Sequence, residues 1–462
     1  MEASGLVHMM RNGQLDELAV VYDMFHRRPA SFELLRKHLS EFIVAEGSKL
    51  VADERMKNEE LVVKLIELRE RVNAIQIKAM ERDTLVDMTI KVSFEKVVNV
   101  NNRTAKALVF YLDEMLKKDF KNIQETELSD RLDKVIHIFR YLLDKDVFEG
   151  FYVSSFARRL LEQRQVCEEA ETSLVLKLKE ECGCQFTQRL EVMFKDMKMS
   201  EELCNEFKAS AASHVLEIDF SVKVLTSGHW PNDGKEAQFH HQIPNEISTA
   251  MNCFSQFYYG KFNNGRCLHW KLNLGNAEIR GTFEAGKRYE FLCSSYQMFL
   301  LMLFNDHAVM TYQQILQTTQ IAPQELHMHL IPLIKLKILT KTPAQQSFSA
   351  EDQLSVNLAF KSNMYRNKIY VMNSKSQKES DTKKVQGKVE DDRRYAIEAA
   401  VIKVMKARLS IDYNNLIGET VKLLQAKFKP EPAMVKIRIE SLIDRGYIER
   451  SEEDKRIFKY VA

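Results

Sequence analysis

Few side chains in this sequence have the types and spacing that chemistry needs. Cys182-Gly-Cys184 is a C-x-C pair on a predicted helix. Zinc sites use C-x-x-C spacing with a second pair, and no second pair stands elsewhere, so two structural thiols are expected. His327-Met-His329 and His240-His241 could ligate a metal. Neither has the i, i+4 spacing of paired helical ligands or an evident third ligand, so ordinary solvated or capping histidines are expected. Phosphate chemistry needs a glycine-rich cradle, and no G-x-x-x-x-G-K-S/T or G-x-G-x-x-G run occurs. The G-x-S-x-G elbow and the cysteine spacing of a RING domain are missing too. No metal, cofactor or catalytic residue is therefore expected. What remains is an amine, Lys406, to which chemistry could be done.

The helix that must carry Lys406 is legible in DDRRYAIEAAVIKVMKARL. Ile397, Ala400, Val401, Val404 and Met405 follow the i, i+3, i+4, i+7, i+8 pattern of one buried face. At about 100° per residue Lys406 falls roughly opposite Ile397, toward solvent. Glu390, Asp391 and Asp392 favour the helix start. A second helix puts Leu416, Ile417, Thr420, Val421 and Leu424 on one face. A third opens near Pro432, carries Val435, Ile439, Leu442 and Ile443, and stops at Gly446. Tyr447–Arg450 and Ile457–Ala462 then read as two strands around the charged turn SEEDK. Three helices and a hairpin make a winged helix. A lone exposed lysine is usually only a solubilising group; the surrounding motif is what singles this one out.

The 462 residues suggest about three domains, and 45% hydrophobic content suffices for their cores. A net charge of +2 does not indicate a dedicated nucleic-acid binder. The third helix of the tail carries Lys436 and Arg438 but also Glu440 and Asp444, which does not make a consistent basic face. The opening MEASGLVHMMRNG lacks the apolar core of a signal peptide. No run approaches the ~20 apolar residues of a membrane span. Seven scattered cysteines read as reduced thiols of the cytosol or nucleus.

Residues 1–210 read as successive amphipathic helices, the arrangement of a bundle or repeat. RLDKVIHIFRYLL places Leu132, Val135, Ile136, Phe139, Leu142 and Leu143 on one face, and VFEGFYVSSFARRLL stacks Phe148, Phe151, Tyr152 and Leu160. At residue 216 the period changes. LEIDFSVKV alternates strictly, as a half-buried strand does. Leu268, Trp270, Leu272 and Leu274, then Gly275-Asn276, then Ala277, Ile279 and Phe283, read as a hairpin. A helical unit over about 295–340 is followed by two short strands, LSVNLAF and NKIYVM, suggesting another winged helix. Asn373–Glu390 is nearly free of apolar residues and reads as a flexible linker. Trp230-Pro231 closes the strand region 216–226, as a buried aromatic or as a contact anchor.

Several of these segments resemble one family. VEDDRRYAIEAAVIKVMKARL is similar to the neddylation motif of cullins, the scaffolds of cullin-RING ubiquitin ligases. VKIRIESLIDRGYIERSEEDKRIFKYVA resembles the cullin C-terminal signature at Lys436, Leu442, Ile443, Tyr447, Arg450, Phe458, Tyr460 and Ala462. KDVFEGFY…ARRLL, KLKEECGCQFTQRLEVMFKDM and IDFSVKVLTSGHWP are cullin-like as well, so the resemblance covers essentially the whole chain. ECGCQFT and the tail resemble cullins of the third type; FYYGKF…LHW and LLMLFN look equally like the fourth.

The resemblance implies a mainly α fold with an α+β middle. It would comprise the last cullin repeat (1–98), a four-helix bundle (99–205), an α/β sheet region (206–290), a first winged helix (291–372), the linker (373–390) and the C-terminal winged helix (391–462). It implies an isopeptide bond between Lys406 and a Nedd-type modifier, and a RING-box protein that adds a strand near 216–226 or 266–283. That subunit would recruit a ubiquitin-conjugating enzyme, leaving the chain a non-catalytic scaffold for ubiquitin-dependent degradation in cytoplasm and nucleus. A cullin-associated exchange factor and the signalosome are further implied partners; nucleic acid and membrane are not. Two departures stand out. Leu409 replaces a frequent basic residue, and Asn-Asn-Gly-Arg at 263–266 replaces His-Ser-Gly-Arg. The chain opens at what resembles the third repeat, so a decoy that holds the RING subunit without a substrate adaptor is the alternative expectation.

Overall fold

The computed structural model describes residues 5–118, 125–161, 168–210, 216–231, 243–262, 265–283, 286–343, 345, 347–369, 375–451, 454 and 456–461. Met1–Met193, Gly228–Pro231 and Lys383–Ala462 form one compact unit, and Phe194–Ser227 with Asn232–Thr382 forms a second. Among the described residues no helix is long and apolar enough to cross a membrane.

The chain begins with ten helices in succession among the described residues: α1 (Leu6–Asn12), α2 (Leu15–His26), α3 (Pro29–Ala52), α4 (Asn58–Ala79), α5 (Thr84–Val98), α6 (Arg103–Lys118), α7 (Glu125–Phe139), α8 (Lys145–Leu161), α9 (Glu168–Cys182) and α10 (Cys184–Ala209). On α4 the buried Leu61, Leu65, Leu68, Val72 and Ile75 recur every three or four residues, so one face enters the core. Asp83 caps α5 by accepting from the amides of Leu85 (2.7 Å) and Val86 (3.1 Å). Gly47 lets α3 approach α5, since a Cβ there would stand 2.5 Å from Val97 Cγ1. Aromatic rings line α8: Phe148 stacks on Tyr152 at 5.7 Å and Tyr152 on Phe156 at 6.0 Å.

Two local expectations change here. α7 ends at Phe139, so Leu142 is buried from a turn and Leu143 is exposed. Cys182-Gly-Cys184 is the break between α9 and α10 and not a helix interior, because Gly183 takes φ +84°.

The second unit continues with α11 (Asn245–Lys261), β1 (Asn276–Thr282), β2 (Arg288–Ser294), α12 (Ser295–Asp306), β3 (Val309–Thr311), α13 (Tyr312–Thr319), α14 (Pro323–Lys335), β4 (Leu339–Thr342), β5 (Gln353–Val356) and β6 (Arg366–Lys368). β1 pairs antiparallel with β2, from Asn276↔Ser294 to Thr282↔Arg288, and β6 lies parallel on the other side of β2. A second sheet has the order β3-β5-β4.

Three strand expectations are corrected. Segment 216–226 belongs to no strand and bends at residues 217 and 218. Gly275-Asn276 is not a hairpin turn, since Gly275 is extended (φ −76°, ψ 156°) and residues 266–271 are in no strand among the described residues. Glycine is needed there because a Cβ would stand 2.2 Å from Ser295 Oγ, whose amide also donates to the Gly275 carbonyl (2.9 Å). The strand in NKIYVM leaves LSVNLAF and joins β2, while β5 pairs with β3 and β4.

The C-terminal part follows as α15 (Lys375–Arg408), β7 (Ser410–Asp412), α16 (Tyr413–Leu424), α17 (Pro432–Asp444), β8 (Ile448–Arg450) and β9 (Ile457–Tyr460), with sheet order β7-β9-β8. The expected linker is helical from Lys375 onward. Low apolar content suggested a linker, but Lys, Glu and Gln are good helix formers and no proline interrupts them. Val385 and Val389 also rest on Gly150, where a Cβ would stand 3.2 and 3.0 Å from their methyls. The three helices and two tail strands of the winged helix are present, and Gly446 takes φ +76°. β7, a third strand, was not read from the sequence.

Candidate functional site

Lys406 occupies the last turn of α15. Ile397, Val401, Val404 and Met405 bury the opposite face against Leu416, Val435, Ile439, Leu442, Ile448 and Phe458. The amine is exposed, with Nζ 5.9 Å from the Tyr460 ring centroid. The helix end is stitched to the wing: Tyr460 donates its amide to the Leu409 carbonyl at 2.9 Å. Arg408 binds Glu419 at 2.9 Å, and Lys403 is exposed. Lys406 is therefore a mobile four-carbon arm on a fixed base, with its charged end in water.

The second candidate surface is segment 216–226 of the other unit. Leu216, Phe220, Val222 and Val224 pack on Leu203 and Phe207 of α10 and Phe254 and Tyr258 of α11, together with Leu268 and Trp270. The Phe220 and Trp270 rings lie 6.2 Å apart. Side chains of α10 bind the backbone. Cys204 Sγ accepts from the Val222 amide (3.1 Å) and donates to its carbonyl (2.9 Å). Ser200 Oγ does the same at Val224, at 2.8 and 3.0 Å. Asp196 accepts from the Thr226 amide (2.8 Å) and hydroxyl (2.7 Å). Lys208, one turn on, reaches Asp219 at 2.9 Å. The sequence reading missed these α10 residues; their i, i+4, i+8 spacing was the available signal.

The other candidates are structural. His329 is buried with Nδ1 2.9 Å from Ser294 Oγ, the N-cap of α12, and burial pulls its pKa down to about 4. It is thus not solvated but secures a cap. His327 stacks on Phe348 at 4.7 Å and meets the Tyr312 hydroxyl at 2.9 Å; burial first and then Lys341 lower its pKa. Cys182 is half-buried and Cys184 exposed, and burial raises the Cys182 thiol. Trp230 is buried. Arg438 lies 3.7 Å from Glu398. Among the described residues no three metal-ligating side chains gather. Cys167, His240, His241, Asn263, Asn264 and Ala462 lie outside the described residues.

These features define a predominantly helical protein with an α+β part and a terminal winged helix that presents a lysine. Family comparison matches residues 1–204 to the cullin alpha solenoid domain, 224–360 to the cullin alpha+beta domain and 392–454 to the cullin protein neddylation domain. Cullin-3A of Arabidopsis thaliana is 36% identical over 467 residues, 100% of this chain and 63% of the relative. Cullin-3 of Dictyostelium discoideum is 34% identical over 504 residues, 100% of this chain and 64% of the relative. Cullin-4A of Mus musculus is 33% identical over 463 residues, 99% of this chain and 60% of the relative. The chain belongs to the cullin family. It spans less than two thirds of the length of these relatives.

Proposed function

We propose that this chain is a scaffold of a cullin-RING ubiquitin ligase. It holds a RING-box protein by accepting one of its strands beside segment 216–226, and it carries a Nedd-type modifier on Lys406. The RING subunit brings the ubiquitin-conjugating enzyme, so the chain contributes placement and no bond chemistry of its own. The exchange factor and signalosome are its further partners, and cytoplasm and nucleus its compartments. In this reading β6, which pairs with β2, is assigned to the α/β region, and 375–390 to the last helix.

The observation that carries this reading is the exposed Lys406 amine on the rigid end of α15, inside the segment matched to the neddylation domain. Acyl transfer from a thioester needs an amine that a bulky donor can reach without rearranging its base. The test expresses the chain with a RING-box protein and the modifier's conjugation enzymes. A modified band on a denaturing gel is expected from the wild type and Lys403→Arg, and none from Lys406→Arg. A band that survives Lys406→Arg rejects the acceptor, and failure to co-purify the RING-box protein rejects the scaffold.

A further inference from the structure

We infer that Asp196, Ser200 and Cys204 of α10 are positioning residues that set the register in which segment 216–226 meets the RING-box strand. This rests on the proposed strand addition but concerns residues that never touch the added strand. Each rung contacts every second residue of the segment: Cys204 with Val222, Ser200 with Val224, Asp196 with Thr226. Four helical residues rise about 6.0 Å, and two strand residues about 6.6 Å. Helix and strand run in opposite senses with nearly matched repeats, so three rungs stay in step.

The thiol and the Ser200 hydroxyl each serve both the N–H and the C=O of one residue, as a neighbouring strand would. That edge is therefore closed to a partner. In an extended chain the residues between such rungs direct their backbone groups to the opposite edge. A slip of one residue would break every rung and lift Phe220, Val222 and Val224 from the Phe207, Phe254 and Tyr258 layer. The fitting partner is an extended RING-box segment whose apolar residues alternate in phase with that layer.

The test measures amide exchange at Val222 and Val224 in the free chain and RING-box affinity of the full chain. In the Ser200→Ala, Cys204→Ala double variant, exchange at both amides is expected to rise at least ten-fold and affinity to fall at least ten-fold. Unchanged exchange within α10 would show that the helix is intact. Cys204→Ser, which keeps a donor and acceptor, should hold wild-type values where Cys204→Ala does not; that comparison serves if the double variant fails to fold. Unchanged exchange and affinity in the variants overturns the inference. A wild-type chain that binds no RING-box protein overturns the functional reading instead, and exchange at the two amides still judges the ladder.

Discussion

Arg393 of α15 binds the Asp146 carboxylate, 247 positions earlier, through Nε and through Nη2, the latter at 2.7 Å. The same guanidinium reaches Asp144 at 3.2 Å and lies 4.9 Å from the Phe428 ring centroid. Beside it the Lys427 carbonyl accepts the amides of Lys145 (3.1 Å) and Asp146 (3.3 Å), which would otherwise be orphans at the start of α8. A bidentate arginine pair, a borrowed helix cap and two valines on Gly150 seat the winged helix on the helical bundle. Arg393→Ala would leave two carboxylates without their cation, one of them buried. About 2–4 kcal/mol of local opening free energy should be lost, seen as faster amide exchange at Lys145–Phe148. Restoring charge with Arg393→Asp and Asp146→Arg should recover part of it, and unchanged exchange in Arg393→Ala would exclude the pair as the fastener.

The junction after Lys406 carries strain. Leu409 holds φ +63°, a left-handed conformation that costs a residue with a Cβ roughly 1–2 kcal/mol. It is 66% exposed, so its side chain offers little packing in return. Leu409→Gly should stabilise the C-terminal module by about 0.5–1 kcal/mol, the released strain outweighing the entropy glycine loses on folding. A higher unfolding midpoint is the expected readout; a lower one would mean that the leucine makes a contact worth more than the strain.

How far the sequence was legible depended on whether a feature was local. The face Ile397, Val401, Val404 and Met405, and hence the outward direction of Lys406, follows from a 3.6-residue period alone. Gly446 was legible because a helix stop needs its φ. Strand pairing was not. Alternation in 216–226 foretold an extended chain with one buried side, but could not say that helix side chains would take the place of a neighbouring strand. Gly275 was misread because close approach to Ser295 and a turn ask for the same residue. The linker was misread because polarity was taken for disorder, when charged residues of good helix propensity needed only Val385 and Val389 to dock. Asp196, Ser200 and Cys204 went unseen because their i, i+4, i+8 spacing marks one helix face without saying which segment lies opposite it.

Arg159 is the one cation buried between two carboxylates, among the described residues of the helical bundle. Its Nη1 meets Asp113 and its Nε meets Glu171, each at 2.6 Å, and the Tyr152 hydroxyl donates to Glu171 at 2.6 Å. Burial and the Glu171 charge keep that phenol protonated far above its usual range. Arg159→Met takes the cation from the buried Glu171 and leaves Asp113 to the half-exposed Arg158 at 3.3 Å, and should cost about 3–5 kcal/mol. Adding Asp113→Leu and Glu171→Met should return part of that, since the apolar pair needs no counter-charge while the buried Tyr152 hydroxyl loses its acceptor. Denaturant unfolding of the single and triple variants separates the cases; equal loss in both would mean that shape and not charge sets the cost.

His329 makes the second unit sensitive to acid. Ser294 Oγ accepts the Gln297 amide at 3.3 Å and stands 2.9 Å from His329 Nδ1. With the ring neutral, Nδ1 can accept from the hydroxyl while the hydroxyl accepts from the helix; protonation makes Nδ1 a donor and removes that arrangement. Tyr296 packs edge-on at 5.2 Å and supplies no counter-charge. The folded pKa near 4, set by burial, lies below the ordinary 6.5, so the unfolded chain takes up the proton first. The contribution of the neutral ring is complete above pH 6.5 and is lost as pH falls toward 4. Over that window about 3 kcal/mol of stability around α12 and α14 should disappear. Amide exchange in those helices, measured at pH 7 and near pH 4.5 and corrected for intrinsic rates, should show protection falling with acid. In His329→Gln, which keeps a polar side chain without a titratable one, the fall should flatten. If wild type and variant lost protection alike, the sensitivity would belong to another group, and the Ser294 cap would have no need of an unprotonated partner.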